Sequence, residues 1–417
     1  MLKGLLGEKI IVGYDLAGGC CQISYCYVKE NSEIETVSSV AGEENYDIPT
    51  VLCKRQGVNQ WLYGKEALRY AQEHPEEGIL VDGLLDMALC GEEVLIDGEC
   101  YNPASLLTLF MKRSLGMLSG VAGSGKIAAI MITCQKLEGK MVQLLKQIIG
   151  SLSLKNAEVF FQNYTESFYN YMIYQREELW AYQTLLLDYR GDGLCCYKME
   201  CNKRTTPIVA YIHEETCEFD GGDEALLEIA RRQCQNTVIS SVYLIGEKFA
   251  GDWMNESLKY LCRGRRVFQG NNLYSKGAVF SLLERLRGSE NGQKFVYLGN
   301  DKLKANIGMK VLNHDTETYY ALLDAGSNWY ETGYGLEFYL KKENNIELII
   351  THLTTEESRV IRMKLDELSL EKNDVTKVYM KLYMVAENTL CVEVRDLGFG
   401  EIRKSLDKSW REEITIY

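Results

Sequence analysis

The sequence predicts an α/β protein made of two similar lobes, followed by an all-β domain. The first observation is a repeated pattern: a strand ending in Asp, a glycine turn and a second strand occur near residue 15 and again near residue 188. The second is that helical and strand patterns alternate over about the first 295 residues. The third is that short alternating stretches replace the helical pattern after that point.

The first lobe, at about residues 1–180, begins with a predicted hairpin at 10–27. An apolar run, a glycine turn and a stretch alternating with period two indicate it. Apolar spacing further predicts helices at 64–74, 103–118 and 137–152 and a strand at 127–133. Asn102 is the expected N-cap of the second helix, with Pro103 as its first residue.

The second lobe, at about residues 181–295, repeats the opening pattern. Leu185 to Asp188 reads as a strand, a glycine-containing turn follows, and Leu194 to Met199 reads as its partner. A helix is predicted at 223–233 and a buried strand at 242–246. Such an internal duplication predicts two lobes that face one another across a cleft.

The last domain, at about residues 300–417, is predicted to be a β-sandwich. Its six alternating stretches are separated by Gly, Asn and Asp turns, and this spacing is typical of sandwiches. The predicted strands lie at 319–323, 335–340, 346–351, 358–364, 377–384 and 389–394.

Composition excludes several classes of protein. The 417 residues are 46% hydrophobic and 25% charged, which is typical of a soluble globular chain of two or three domains. No apolar run approaches the ~20 residues of a membrane helix, and no export signal is recognised, so a cytoplasmic protein without membrane contact is expected. The net charge of −13 argues against a nucleic-acid partner.

The fourteen cysteines are expected to be reduced and mostly buried. The vicinal pairs Cys20-Cys21 and Cys195-Cys196 lack the paired ligand spacing of a structural zinc site. We therefore interpret these residues as part of buried strands.

One motif matches a phosphate-binding P-loop in spacing alone. Gly120 to Lys126 has the required glycines and lysine, but Ile127 stands where a hydroxyl should follow. An amphipathic helix precedes the motif and a strand follows it, which is the reverse of the P-loop order. The segment is predicted to be a plain connector between a helix and a strand.

The glycine turns after the two aspartates fit a known family better. Val12 to Gly19 resembles the first phosphate loop of the actin-like ATPase superfamily, in particular the seventy-kilodalton heat-shock chaperones. Asp188 to Gly193 stands where the second phosphate loop of that family lies. The segment from Ile245 to Lys248 through Tyr274 to Ala278 resembles its adenosine loop and the helix after it. Asp47 to Val51 resembles a further family signature, and the C-terminal strands resemble its peptide-binding sandwich.

This resemblance implies a site for ATP or ADP with Mg²⁺, although a chain without any cofactor is equally compatible with the sequence. Asp15 and Asp188 are the possible magnesium ligands and the only candidates for catalysis. The residues expected to contact nucleotide are Asp15, Gly18, Gly19, Asp188, Arg190, Gly191, Gly193 and Gly246.

Departures from the family pattern point to little or no ATP hydrolysis. Arg190, Asp192 and Glu247 replace glycines of the phosphate and adenosine loops. No Lys occurs near residues 81–87, where the family has its catalytic Lys, and Tyr164 stands at the position of its catalytic Glu. Arg190 is expected either to pair with phosphate or to fill the site itself by pairing with an aspartate.

Three functions remain open from the sequence. The leading one is a chaperone-like protein with a degenerate nucleotide-binding domain and a sandwich that binds a protein or peptide. One alternative is a slow ATPase or small-molecule kinase that uses Asp15 and Asp188. The other is a nucleotide-free interaction module with a filled cleft. A general base near the γ-phosphate would favour the enzyme, and an Arg190 salt bridge closing the cleft would favour the module.

Overall fold

A computed structural model gives the chain a mixed α/β architecture with several separate sheets. It describes residues 9–29, 32–40, 42–121, 126–152, 154, 157–191, 193–204, 206–314, 316–341, 344–353, 357–368 and 374–416. The chain divides into two compact units, residues 1–297 and 298–417. Both units contain buried apolar side chains.

The first unit contains two mixed six-stranded sheets. In the first sheet the order is β11-β10-β1-β2-β3, and β4 also pairs with β2. Its strands are β1 (Ile10–Leu16), β2 (Cys20–Tyr27), β3 (Glu35–Thr36), β4 (Ile48–Pro49), β10 (Ile127–Cys134) and β11 (Glu158–Asn163). β1 is buried along its whole length, in agreement with its mostly apolar sequence, and this burial includes Asp15.

The second sheet has the order β16-β15-β12-β13-β14-β17. Its strands are β12 (Gln183–Asp188), β13 (Leu194–Asn202), β14 (Ile208–Cys217), β15 (Ile239–Ile245), β16 (Arg266–Gln269) and β17 (Phe295–Tyr297). β12 pairs antiparallel with β13 and parallel with β15, as β1 pairs antiparallel with β2 and parallel with β10. The repeated sequence pattern therefore corresponds to a repeated strand connectivity.

Nine helices are described in the first unit: α1 (Gly64–Glu73), α2 (Leu84–Cys90), α3 (Pro103–Leu115), α4 (Gly139–Ser151), α5 (Tyr164–Ile173), α6 (Asp223–Cys234), α7 (Asn255–Leu261), α8 (Leu273–Arg287) and α9 (Glu290–Lys294). α5 follows the outer strand β11 of the first sheet, and α8 follows the outer strand β16 of the second. These two helices pack against each other in the centre of the unit.

The predicted helices occur in the first unit with small shifts of their ends. Asn102 caps α3 by accepting a hydrogen bond from Ser105 N at 3.2 Å, and Pro103 is the first helical residue, as predicted. The P-loop-like segment is described only at its ends, since residues 122–125 lie outside the described residues. A 3₁₀ segment precedes them and β10 follows, so the flanking order is helix then strand.

Two small antiparallel sheets complete the first unit. Their strands are β5 (Leu52–Arg55), β6 (Trp61–Tyr63) and β7 (Gly78–Val81) in one, and β8 (Val94–Ile96) and β9 (Glu99–Tyr101) in the other. Both vicinal cysteine pairs lie in strands, in β2 and β13, and all fourteen cysteines are free thiols. The interpretation of these residues as strand residues is confirmed.

The second unit consists of two antiparallel four-stranded sheets, with orders β19-β18-β21-β22 and β20-β23-β24-β25. The strands are β18 (Ala305–Asn313), β19 (Thr316–Leu323), β20 (Gly333–Lys341), β21 (Asn345–His352), β22 (Ser358–Lys364), β23 (Val375–Ala386), β24 (Thr389–Gly398) and β25 (Ser409–Thr415). In β21 and β23, buried residues alternate with more exposed ones, as in sheets with one face in a core.

Among the described parts of the whole chain, no helix is long and apolar enough to cross a membrane.

Candidate functional site

Two aspartates lie at equivalent points of the two large sheets. Asp15 is in β1, next to Thr133 of the parallel strand β10. Asp188 is the last residue of β12, next to Ile245 of the parallel strand β15. Ligand sites of α/β sheets form outside the carboxyl ends of parallel strands. Both carboxylates therefore lie where such a site is expected.

Two tyrosines at the beginnings of α5 and α8 contact these aspartates. The Tyr164 hydroxyl donates a hydrogen bond to Asp15 Oδ1 at 2.7 Å. The Tyr274 hydroxyl donates one to Asp188 Oδ2 at 3.0 Å. The two rings are stacked, with centroids 4.0 Å apart and planes 9° from parallel. Each sheet thus supplies one aspartate, and the helix after its outer strand supplies that aspartate's tyrosine.

Arg190 joins the two halves of this arrangement. Its Nη1 lies 2.8 Å from Asp15 Oδ2, and its Nη2 lies 3.0 Å from Asp188 Oδ2. Its Nε lies 3.0 Å from Asp188 Oδ1, so the contact with Asp188 is bidentate. We call Asp15, Tyr164, Asp188, Arg190 and Tyr274 the aspartate–arginine cluster. Of the two roles expected for Arg190, the structure shows the pairing with aspartate, and both aspartates take part.

The cluster is almost closed to water. The side chains of Asp15, Asp188 and Arg190 are 1%, 8% and 13% exposed. Burial raises the pKa of Asp15, while the charge of Arg190 and the hydrogen bond from Tyr164 oppose that rise. The guanidinium carbon lies 4.7 and 4.6 Å from the centres of the Tyr164 and Tyr274 rings. Two carboxylates, two hydroxyl donors and the aromatic rings therefore surround one cation.

Gly246 determines the path of the turn that carries Arg190. A side-chain carbon at Gly246 would lie 2.5 Å from the Tyr189 carbonyl oxygen, and its φ of +119° favours glycine. The Arg190 backbone N–H also donates to Asp188 Oδ1 at 3.2 Å. The close approach of the turns after β12 and β15 thus directs the Arg190 side chain towards Asp15.

The remaining predicted loop residues lie in the turns that follow β1 and β12. Gly18 and Gly19 form the turn between β1 and β2, and the Gly19 carbonyl accepts a hydrogen bond from Thr50 N at 3.0 Å. The Gly191 carbonyl accepts one from Lys248 Nζ at 2.7 Å. Gly193 precedes β13 with a φ of +105°. Asp192, which replaces a glycine of the phosphate loop, lies outside the described residues.

The sequence places Tyr274 in the helix after the adenosine-like loop but does not predict it as a site residue. Asn163 and Asn272 each stand directly before a helix, and a tyrosine follows within two residues in both cases. Comparing the two copies of the repeat at this point would have paired Tyr274 with Tyr164.

Among the described residues, no group of three or more His, Cys, Asp or Glu side chains is arranged to hold a metal ion.

Comparison with protein families assigns both units. Residues 302–416 match a domain of unknown function, DUF8552. A comparison with curated proteins finds no match. Residues 33–300, more than half of the chain, match the C-terminal model of the family of unknown function DUF5716. The chain therefore belongs to the DUF5716 family, and its second unit matches a separate domain model.

Proposed function

We propose that this protein is a non-enzymatic interaction protein whose first unit is a degenerate, two-lobed actin-like domain related to the heat-shock chaperones. The observation that carries the proposal is Arg190, which pairs with both aspartates of the site at 2.8 and 3.0 Å. The repeated connectivity of the two large sheets supports the two-lobed assignment. In this proposal the Arg190 guanidinium occupies the position of a bound ligand and holds the two lobes together by binding an aspartate of each.

The residues at this position do not fit a magnesium nucleotide. A magnesium ion between Asp15 and Asp188 would have to displace a buried guanidinium that both carboxylates already bind. Tyr164, at the position of the family's catalytic Glu, donates a hydrogen bond to Asp15 and offers no base. We therefore prefer the nucleotide-free interaction module to the nucleotide-binding chaperone and to the slow ATPase or kinase.

Binding of a protein or peptide is assigned in this proposal to the second unit. Two four-stranded antiparallel sheets support the resemblance to a peptide-binding sandwich. Tyr319, Tyr320 and Tyr339 are exposed there, and exposed aromatic side chains are enriched at interaction sites. In this proposal Arg190 occupies the place of the nucleotide in the first unit, so Mg-ATP has no site through which to act. The affinity of the second unit for a fluorescent unfolded polypeptide is therefore expected to be equal with and without Mg-ATP.

Thermal unfolding with Mg-ATP tests the proposal on the full chain. A ligand at a hundred times its Kd stabilises a protein by about 2.7 kcal/mol, which corresponds to roughly 5–11 °C at about 2–4 °C per kcal/mol. The wild-type protein is expected to shift far less at millimolar Mg-ATP. A triple variant with glycine at Arg190, Asp192 and Glu247 is expected to gain a shift, because its backbone can again approach phosphate.

Arg176→Gly is a control for the loss of an arginine side chain away from the cluster, since the Arg176 side chain is 83% exposed. This variant should behave like the wild type. Phosphate release from ATP should be equal in the wild type and in Asp15→Asn. A wild-type shift of the size calculated above, or Asp15-dependent turnover, would overturn the proposal.

A further inference from the structure

Two cysteine thiols of the second large sheet are in contact. Cys196 lies in β13, and Cys217 is the last residue of the neighbouring strand β14. Their Sγ atoms are 3.8 Å apart. Cys196 stands opposite Glu215 and Cys217 opposite Leu194, so the two thiols are diagonal neighbours on one face of the sheet. A disulfide between them requires the sulfur atoms to approach each other to about 2 Å.

An arginine and a carboxylate lie beside Cys217. Arg232, in the last turn of α6, places its Nη2 atom 3.0 Å from Cys217 Sγ and 2.6 Å from Glu215 Oε1. The Cys217 thiol donates to the same carboxylate oxygen at 3.7 Å. Gln233 Nε2 donates to the other carboxylate oxygen at 2.6 Å. Cys217 thus has an acceptor for its proton and a cation that favours the thiolate, which is the nucleophilic form of cysteine.

The two thiols differ in their access to water. Cys196 is 1% exposed and lies in the hydrophobic core, where burial and then the neighbouring Cys217 raise the pKa of its thiol. Cys217 is 6% exposed, and the side chains of Arg232 and Glu215 that contact it are themselves 56% and 52% exposed. A small reagent therefore reaches Cys217 first.

We propose that Cys217 and Cys196 form a dithiol site that reacts with hydroperoxides. The Cys217 sulfur attacks one oxygen of the hydroperoxide, and the O–O bond breaks. The proton of Cys217 goes to the leaving oxygen, which gives a sulfenic acid at Cys217 and an alcohol, or water from hydrogen peroxide. The Cys196 sulfur then attacks the Cys217 sulfur, and the S–O bond breaks. Water leaves with the proton of Cys196, and a disulfide joins β13 to β14.

Oxidation of the reduced full chain with hydrogen peroxide tests the site. The remaining thiols are alkylated in denaturant, and the peptides are identified by mass spectrometry. We expect two peptides joined through Cys196 and Cys217, lighter by two hydrogen atoms than their reduced forms. Cys196→Ser should stop the reaction at the sulfenic acid of Cys217, which a dione reagent traps. Cys217→Ser should leave Cys196 unoxidised, because Cys196 is the buried partner.

Arg232→Met tests the role of the guanidinium, and Arg231→Met is the matched control. Both arginines are exposed in the last turn of α6, and Arg231 lies over the Tyr260 ring, 6.0 Å from its centre. At a fixed peroxide concentration, disulfide formation should slow by about tenfold in Arg232→Met, the loss expected for one hydrogen bond to a charged group. The rate in Arg231→Met should equal that of the wild type.

Three results would contradict this assignment. A wild-type chain that oxidises at the exposed Cys90, Cys100 and Cys262 without a disulfide between Cys196 and Cys217 would exclude the dithiol site. Equal rates in Arg232→Met and the wild type would exclude the activation of Cys217 by Arg232. Sulfenic acid at Cys196 in Cys217→Ser would exclude Cys217 as the nucleophile. None of these results bears on the proposed function, since neither cysteine belongs to the aspartate–arginine cluster.

Discussion

Replacing Arg190 with alanine should destabilise the first unit. The size of the effect follows from the burial of the two aspartates that Arg190 binds. The substitution leaves Asp15 and Asp188 as two buried carboxylates without their cation, with side chains only 1% and 8% exposed. Breaking a buried ion pair by removing one partner costs about 3–5 kcal/mol. At about 2–4 °C per kcal/mol, the melting temperature of this unit should fall by roughly 6–20 °C.

Two further variants separate lost charge from lost packing. Arg190→Lys keeps the charge, but one ammonium group cannot reproduce the fork that binds Asp188 while reaching Asp15, so an intermediate loss is expected. Arg190→Met combined with Asp15→Asn and Asp188→Asn removes all three charges. Neutral replacement of a whole buried ionic group is often close to neutral for stability, so this triple variant should recover much of the loss.

Differential scanning calorimetry of the full chain is the suitable assay, because it resolves the two units if they unfold separately. Magnesium should partly restore the stability of Arg190→Ala, since a divalent cation can replace the guanidinium between the carboxylates. The wild-type protein should not respond to magnesium. A melting temperature of Arg190→Ala within about 2 °C of the wild type, less than 1 kcal/mol by the same conversion, would refute the role assigned to Arg190.

Two predictions concern other parts of the chain. A side-chain carbon at Gly277 in α8 would lie 2.1 Å from the Ser167 carbonyl of α5, so Gly277→Ala should cost about 1–3 kcal/mol in a urea titration. Gly116→Ala, with open space around that position, should be tolerated, and equal stability of the two variants would contradict the close helix packing. In the second unit, burial of Asp396 opposes its ionisation, but hydrogen bonds from Leu406 N, Thr376 and Gly398 N outweigh burial and lower its pKa. The stability that ionised Asp396 contributes to this unit is fully present above the ordinary Asp pKa and is lost as the pH falls through the lowered pKa. Asp396→Asn should cost about 2–3 kcal/mol at pH 7 and should weaken this acid dependence. Denaturation at several pH values measures both effects.

Elements with a clear local pattern were predictable from the sequence. The hairpin of β1 and β2, the capped helix α3 and the buried strand β10 follow from apolar periodicity, a glycine turn and an Asn-Pro start. Short elements such as α2, β8 and β16 were not predicted. They have three to seven residues and mixed burial, so periodicity within them is too brief to recognise.

Part of the candidate site was also predictable. The two aspartates were identified because each ends an apolar strand before a glycine turn, and Arg190 was identified as a departure from a glycine-rich loop. The sequence left both roles of Arg190 open. Whether its side chain reaches a phosphate or an aspartate depends on which distant segments the fold brings next to it. The role of Tyr274 was not predicted, because its partner Asp188 lies 86 residues earlier in the chain.

The sequence by itself determined the α/β character of the first unit, the repeated Asp-turn pattern and the all-β character of the second. These properties depend on the periodicity of apolar and polar residues over short stretches of the chain, and this periodicity can be read from the sequence. Only the tertiary structure decided that Arg190 pairs with both aspartates, since Asp15 lies 175 positions away from it. Contacts between such distant residues depend on how the two large sheets pack around α5 and α8, and no local pattern encodes that packing.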